Sequence, residues 1–338
     1  MEPDSKKHRV STPPMSQTAI ALKKVQPLHP KLLDKLRQIR RQKAFDPQIW
    51  VFQRTSELLR YMRDNNLKAL VVSISGGVDS SSVLGLLKRT QDLAATDPTH
   101  PFNPDNGGKI IAIAQPICST PSIQNRAYEA ADAFGITVVT VDQTAVHNQL
   151  VGIVEDQVGE LNSFSKAMFK SYQRTPIAYL LASHYSGVVV GTGNLDEDGY
   201  LYYYCKFGDG AVDVGLIWDL HKSEVFQLAA YLGVPQSILD APPSADLCPG
   251  QTDESEIGAT YDMVELVYVF LHQYTVAEQA NFVDSLCPDS REQFERELDV
   301  IRAIHNKGLH KADLNPKNMG SEWYHRHYGT TEKSRLVV

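Results

Sequence analysis

The segment that most constrains this chain is a short apolar run followed directly by two glycines and several hydroxyl side chains. Residues 69–74 read ALVVSI and residues 75–81 read SGGVDSS. The apolar run predicts a buried strand, and the paired glycines allow a tight turn whose backbone can approach a ligand closely. We expect Ser80 to open the next helix, whose first amide groups lack partners and carry positive dipole charge. The whole run predicts an anion-binding loop.

Asp79 narrows the kind of anion that this loop accepts. A carboxylate repels a bare phosphate, so its position indicates a bridging Mg²⁺ ion. Neither Gly-Lys-Ser nor Gly-Lys-Thr follows, which excludes a Walker loop. A plain glycine turn with a serine cap is the alternative, and the combined strand, hydroxyls and helix disfavour it.

The order of apolar runs along the chain predicts the fold class. Further strands are expected at 109–114, 136–141 and 188–190, with helices between them. Continuously apolar strands separated by helices predict an α/β fold, a doubly wound parallel sheet with helices on both faces. Ligands bind such sheets at the carboxyl ends of strands, so the loops at 75–79 and 191–197 should face one site.

The remaining segments divide into a tail and helical regions. We predict a disordered basic arm over 1–26 and a single domain over 27–338. Within that domain the expected parts are N-terminal helices (27–66), a parallel-sheet core (67–215) and a mostly helical C-terminal part (216–338). One helical stretch, roughly 143–186, should break near Pro176. Another should start at Asp253, with Glu256 completing a capping box, and run to about residue 274.

Charge and cysteine usage exclude several classes of function. The first 50 residues carry 11 Lys/Arg and 4 Asp/Glu, whereas the whole chain has a net charge of −7. Because the arm lacks interleaved aromatics and the body is acidic, we expect a solvated tail or subunit-contact arm and no nucleic-acid partner. No run is apolar enough for a membrane span or signal peptide. The four cysteines form no CxxC pair, which suits reduced thiols in a cytoplasmic protein.

Several polar clusters follow the fourth predicted strand. They are GTGNLDE (191–197), KFGDGAVD (206–213), DLHKSE (219–224), PSADL (243–247) and QTDE (251–254). A site that brings a phosphate chain against a second anion needs Mg²⁺ and cations near the phosphate at which negative charge builds. Glu197 can join Asp79 as a metal ligand, and Lys206 and Lys222 can supply the cations. For each lysine the alternative is a solvated surface residue.

The glycine loop resembles the pyrophosphate loop of the ATP pyrophosphatases with the adenine nucleotide α-hydrolase fold. The order and spacing of the later motifs resemble those of NAD⁺ synthetases over roughly residues 50–330. This resemblance implies adenylation of the nicotinate carboxylate of nicotinic acid adenine dinucleotide (deamido-NAD), release of pyrophosphate, and attack by ammonia on the acyl-adenylate. It also implies a homodimer.

The resemblance assigns roles to individual residues. Those expected to bind ATP are Ser75, Gly76, Gly77, Asp79, Ser80, Ser81, Gln124, Thr192, Lys222 and Ser244. Those expected to bind deamido-NAD are Tyr61, Lys206, Asp209, Asp213, His310 and Lys311. Asp79 and Glu197 would hold Mg²⁺, and Lys206, Lys222 and Asp209 would be catalytic, with Asp209 positioning ammonia or accepting its proton. Tyr61 could instead be an ordinary core aromatic, and His310 a helix-end histidine.

One departure from the family pattern affects this assignment. Family members usually carry an arginine near the end of the second strand, where this chain has Ala114-Gln115-Pro116. Gln124 and Arg126 are the candidates to take over adenine and phosphate contacts.

The residues before the first predicted strand indicate which nitrogen donor the protein uses. Glutamine-dependent NAD⁺ synthetases carry an amidase domain there, whereas residues 1–65 contain no cysteine for a thiol nucleophile. We therefore expect use of free ammonia, with a separate glutaminase acting in trans as an open alternative. Two other readings of the loop are another AMP-forming ligase, including a tRNA-modifying enzyme, and a non-catalytic nucleotide sensor.

Overall fold

The centre of the fold is a five-stranded parallel sheet. The computed structural model describes residues 25–119, 121–244 and 252–312. The strands are β1 (Ala69–Ser73), β2 (Lys109–Ala114), β3 (Val138–Thr140), β4 (Gly187–Gly191) and β5 (Val214–Gly215), in the order β3-β2-β1-β4-β5. Every neighbouring pair is parallel. Because the chain winds outward in both directions from the β1–β4 pair, the carboxyl ends of these two strands border a crevice.

Helices cover both faces of this sheet, as the apolar pattern predicts. The helices before β5 are α1 (Pro30–Lys43), α2 (Pro47–Asp64), α3 (Val78–Ala94), α4 (Pro121–Ala133), α5 (Thr144–Val158) and α6 (Ser163–His184). Leu70 and Val72 point into the core shared with α2, α3, α4 and α7 (Lys222–Leu232). Val71 and Val189 point the other way, against Ala178 on α6. The doubly wound α/β prediction is therefore confirmed.

A second core lies in the C-terminal part of the chain. The helices after α7 are α8 (Gln236–Leu239), α9 (Asp253–Ile257), α10 (Tyr261–His272), α11 (Val276–Asp284) and α12 (Pro288–Gly308). Phe270, Phe282 and Phe294 pack against one another with ring centroids 5.0–5.4 Å apart. Leu32 and Leu36 of α1 are completely buried in the same cluster. The two N-terminal helices thus serve different cores, since α2 packs on the sheet.

The predicted break near Pro176 is wrong. Pro176 lies inside α6, and the helical stretch breaks instead at residues 159–162. Gly159 takes a φ of 87°, which favours glycine and ends α5, and the Asn162 side chain caps α6. Proline removes only one backbone donor, and the packing of Ala178 and Ala182 against the sheet holds the helix through it.

The single predicted helix from Asp253 to about residue 274 is also wrong. Gly258, with a φ of 85°, ends α9 after only five residues, and Thr260 caps α10. The capping box joins Thr252 and Ser255, so Asp253 is the first helical residue rather than the cap.

Two further outcomes concern segment boundaries. Helix α3 begins at Val78 with Gly77 as its cap, so Ser80 lies within the first turn and does not open the helix. The predicted basic arm lies outside the described residues except for its last two positions. Within the described ranges, no helix is long and apolar enough to cross a membrane.

Candidate active site

The loop after β1 is a tight turn braced by its own hydroxyl groups. Gly76 has a φ of 81°, a left-handed conformation that glycine adopts without strain. The Gly77 amide donates to Ser75 Oγ at 3.3 Å, and the hydroxyls of Ser75 and Ser80 are 3.1 Å apart. Ser81 Oγ donates to the Gly77 carbonyl at 2.8 Å. The hydroxyls of Ser80 and Ser81 therefore hold the loop shape, and the N-terminal amides of α3 follow it.

Two acidic side chains from neighbouring strand ends meet on one buried lysine. Lys222 Nζ donates to Asp79 Oδ2 at 2.6 Å and to Glu197 Oε1 at 2.8 Å. Asp79 comes from α3, Glu197 from the π-helical segment Leu195–Leu201 after β4, and Lys222 is the first residue of α7. Asn194 donates to Asp79 Oδ1 at 2.9 Å, and the Tyr261 hydroxyl donates to Glu197. The structure thus brings together both predicted metal ligands and one predicted catalytic lysine.

The electrostatics of this trio favour a permanently charged lysine. Burial opposes charge on Lys222, but Asp79 and Glu197 outweigh it and hold the pKa of Lys222 above its ordinary value. Burial raises the pKa of Asp79, and the nearby Glu197 charge adds to this. The pKa of Asp253 rises to about 7, because of burial and then the charge of Glu197. One buried cation therefore faces two carboxyl groups.

The carboxylate pair fits a magnesium ion bound together with phosphates. Since Asp79 and Glu197 contact the same nitrogen atom, their oxygens lie within reach of one small cation. Among the described residues, no group of three or more His, Cys, Asp or Glu side chains is arranged to hold a metal. Mg²⁺ is commonly held by one or two carboxylates plus substrate phosphates and water, and it prefers hard oxygen ligands. Asp79 and Glu197 would be the two protein ligands of such a site.

Two residues that sequence reasoning missed support Lys222. Asp196 is fully buried and accepts hydrogen bonds from the Lys222 backbone amide and from His221 Nδ1, both at 2.7 Å. The Glu224 carboxylate accepts from the His221 amide at 3.0 Å, which completes the first turn of α7. Asp196 and His221 stand beside Glu197 and Lys222 in the sequence, so adjacency to predicted residues is the signal that could have found them.

Asp209 is held in a defined orientation beside α6. Its Oδ1 accepts from Ser171 Oγ at 2.7 Å and from the Cys205 amide at 3.0 Å. The Thr175 hydroxyl, also on α6, lies 2.9 Å from the Gly208 carbonyl and fixes the same turn. The carboxylate is therefore oriented before any ligand arrives.

Asp198 interacts electrostatically both with Asp209 and with the carboxyl groups of Asp79 and Glu197. Burial, then the charges of Asp209, Glu197 and Asp79, raise the pKa of Asp198 well above its ordinary value. A Cβ atom built on Gly193 would lie 1.9 Å from Asp198 Oδ2, so a larger residue there would displace the Asp198 carboxyl group. Sequence reasoning missed Asp198, although it directly follows Glu197.

The hydrogen bonds of Asp213 are made to the surrounding fold. Lys206, in the same segment, is partly exposed. Asp213 Oδ2 accepts from the Val189 amide at 2.7 Å, and its Oδ1 accepts from the Tyr179 hydroxyl at 3.3 Å. These bonds tie the segment to β4 and α6. Lys206 Nζ lies 5.6 Å from the Phe207 ring centroid.

The remaining predicted residues lie on several other segments. Tyr61 is on α2 with 38% of its surface exposed, and Lys311 Nζ donates to the carbonyls of Tyr202 at 2.9 Å and Tyr204 at 2.5 Å. His310 Nδ1 contacts the Lys307 carbonyl at the end of α12, as a helix-end histidine would. Gln124 donates to the Tyr128 hydroxyl, Thr192 directly follows β4, and Ser244 is the last described residue before the gap at 245–251.

The Gln115 side chain lies at the carboxyl ends of β1 and β2. Its Nε2 donates to Ser73 Oγ at 3.1 Å, and its Oε1 accepts from Gln143 at 2.7 Å. With 6% of its surface exposed, it joins β1 to β2 rather than presenting a charge to a ligand. A cation that replaces the usual arginine must come from another element.

In a comparison with protein families, the NAD synthase model matches residues 51–296. The chain belongs to the NAD synthase family. An NH(3)-dependent NAD(+) synthetase of Alkaliphilus oremlandii is 30% identical over 266 residues, covering 77% of this chain and 92% of that protein. One from Thermoplasma volcanium is 34% identical over 220 residues, covering 63% and 80%.

Solved structures of two other proteins superimpose on most of this chain. The NMN synthetase of Francisella tularensis is 26% identical, with a TM-score of 0.64, and the match covers 81% of this chain and 99% of that one. The NAD+ synthetase of Burkholderia pseudomallei, at 24% identity and a TM-score of 0.58, covers 83% and 98% and shows the shared fold.

Proposed function

We propose that this member of the NAD synthase family amidates deamido-NAD to NAD⁺ with ATP and ammonia, through an acyl-adenylate, releasing AMP and pyrophosphate. The observation that carries the proposal is the convergence of Asp79, Glu197 and Lys222 beside the glycine loop at the β1–β4 crevice. A Mg²⁺ ion held by the two carboxylates would neutralise phosphate charge when bound.

The chain's own groups take distinct parts in this reaction. Lys222, whose pKa is raised, stays protonated and stabilises negative charge near the α-phosphate without transferring a proton. Asp209 is positioned by Ser171 to accept a hydrogen bond from ammonia. The amides that follow the Gly76 turn face the pyrophosphate end of ATP.

A mononucleotide acceptor is a second candidate, because the match to the Francisella tularensis NMN synthetase covers 81% of this chain with a TM-score of 0.64. Purified protein should be given ATP, Mg²⁺ and ammonium with either deamido-NAD or nicotinic acid mononucleotide. We expect AMP and pyrophosphate with deamido-NAD at the higher kcat/KM. A higher kcat/KM with the mononucleotide would select the second candidate, and ADP formation or no turnover with either acceptor would reject both.

Ammonium should support turnover by the purified protein, and glutamine at the same concentration should not. Burial raises the pKa of the Cys205 thiol to about 12, so this cysteine is a poor nucleophile for glutamine hydrolysis. The measurement is NAD⁺ formation with each donor after removal of contaminating ammonium. Comparable rates with both donors would contradict the prediction. A glutaminase acting in trans, the cytoplasmic location and the absence of a nucleic-acid partner stay predictions.

An exposed apolar face supports the homodimer proposal. Helix α5 exposes Val146, Leu150, Ile153, Val154 and Val158, which recur at helical spacing along one side. On α6, Phe164 and Leu180 are also exposed. A contiguous apolar surface of this kind is typical of a protein interface, and a second copy of the chain is the partner that we propose.

Replacing Ile153 with aspartate should weaken the dimer by more than about 100-fold, because a charge would be buried without a partner. The matched control is Gln149→Asp, which adds the same charge at an exposed polar position of α5. Light scattering after size-exclusion chromatography measures the mass. A monomeric wild-type protein, or an Ile153→Asp variant as dimeric as the control, would contradict the proposal.

A further inference from the structure

Arg126 reaches from α4 to the turn of the glycine loop. Its Nε donates to the carbonyl of Gly76 at 3.4 Å, and the side chain is half-buried. In the part of the chain that the structure describes, this is its single hydrogen bond, and it forms no ion pair there. The guanidinium therefore lies at the loop, and among residues 25–119, 121–244 and 252–312 its two terminal nitrogens have no hydrogen-bond partner.

The other groups around the loop supply too little positive charge to balance a bound pyrophosphate. Lys222 is bound to Asp79 and Glu197, at 2.6 and 2.8 Å, so its charge is already shared between two carboxyl groups. Pyrophosphate carries several negative charges, and backbone amides supply only partial positive charge. Gln115, at the neighbouring strand end, is neutral and bonded within the sheet.

We propose that Arg126 binds the pyrophosphate end of ATP and the leaving pyrophosphate. The bond from Nε to the loop carbonyl orients the guanidinium plane, and the two terminal nitrogens match the oxygens of one phosphate group as a bidentate pair. This inference rests on the proposed function, since it assigns a role within the same reaction.

The experiment titrates inorganic pyrophosphate with Mg²⁺, and separately AMP, into the full chain by calorimetry. The variants are Arg126→Gln, Arg126→Lys and the control Arg89→Gln, which removes the same charge from an exposed position of α3. We expect Arg126→Gln to weaken pyrophosphate binding by about 10- to 100-fold, the range for losing a charge-assisted pair. Arg126→Lys should be intermediate, the control should match the wild type, and AMP affinity should not change.

Two outcomes would overturn the inference. Equal pyrophosphate affinity in Arg126→Gln and Arg89→Gln would show that the arginine does not bind this ligand. Parallel loss of AMP and pyrophosphate binding would show that Arg126 merely braces the loop. Neither titration contains an acceptor, so both results can be interpreted even if deamido-NAD is not a substrate. Only the turnover assay decides whether deamido-NAD is the substrate.

Discussion

Replacing Lys222 with methionine should lower the free energy of unfolding by about 3–5 kcal/mol, the cost of removing one partner from a buried ion pair. Methionine fills much of the same volume but leaves Asp79 and Glu197 facing each other without the cation that both contact. Only 3% of the Lys222 surface is exposed, so water cannot replace the lost charge. Urea unfolding followed by circular dichroism measures the change.

The same variant should show a defined pH dependence. Burial already raises the pKa of Asp79, and losing Lys222 removes the charge that opposes this rise. A carboxyl whose pKa is higher in the folded state destabilises the fold above that pKa and ceases to do so once protonated. The stability deficit should therefore shrink as the pH falls from neutral into the acid range.

Two comparisons isolate the cause of this loss. The double variant Lys222→Met with Asp79→Asn should recover part of the stability, because one of the two unpaired charges is gone. The control Lys88→Met breaks an exposed pair with Asp92 and should cost at most about 1 kcal/mol. If Lys222→Met is as stable as this control, the buried trio does not contribute as we infer.

Activity should fall through kcat rather than KM in the Lys222 variant. In the proposed reaction the lysine stabilises the negative charge that builds during AMP transfer, and losing an interaction that strengthens in the transition state lowers kcat. Initial rates at varied ATP concentrations separate the two constants. A change confined to KM would indicate uniform binding of ATP and no preference for the transition state.

The convergence of the two loops could be predicted from the sequence because it follows from chain direction alone. Parallel strands end at one edge, so the residues after 69–74 and after 188–190 had to approach each other. The bounds of β2 also agree with the apolar run at 109–114. Asp79 and Glu197 lie in the segments that follow these two strands, and both contact Lys222 in the structure.

Features that depend on tertiary packing could not be predicted in the same way. Pro176 has the local signature of a helix break, yet packing of α6 on the sheet overrides it, while Gly159 supplies the real break. The burial of Lys222 depends on where α7 docks, and its support by Asp196 joins two segments of unrelated local pattern. Gln115 reads as a substituted ligand residue, but its partners Ser73 and Gln143 make it structural.

Replacing Asp79 with asparagine should lower kcat by at least about 100-fold while leaving the fold intact. Asparagine has the same shape but loses the charge that a hard cation requires of its ligand. The trio would then contain one ammonium and one carboxylate, so its charges balance and the free energy of unfolding should change by less than about 1.5 kcal/mol. Turnover measured against Mg²⁺ concentration should show a raised requirement for the metal.

This variant separates metal binding from substrate binding more cleanly than the lysine variant does, because stability should be preserved. Affinity for deamido-NAD, measured by calorimetry, should stay within about twofold, since the proposed dinucleotide contacts lie on other segments. The matched control is Asp92→Asn, the same change on the exposed side of α3. Near-normal activity of Asp79→Asn at low Mg²⁺ would remove Asp79 from the metal site. An equal loss of deamido-NAD affinity would instead assign the carboxylate to the acceptor pocket, leaving Glu197 as the protein's contribution to the metal.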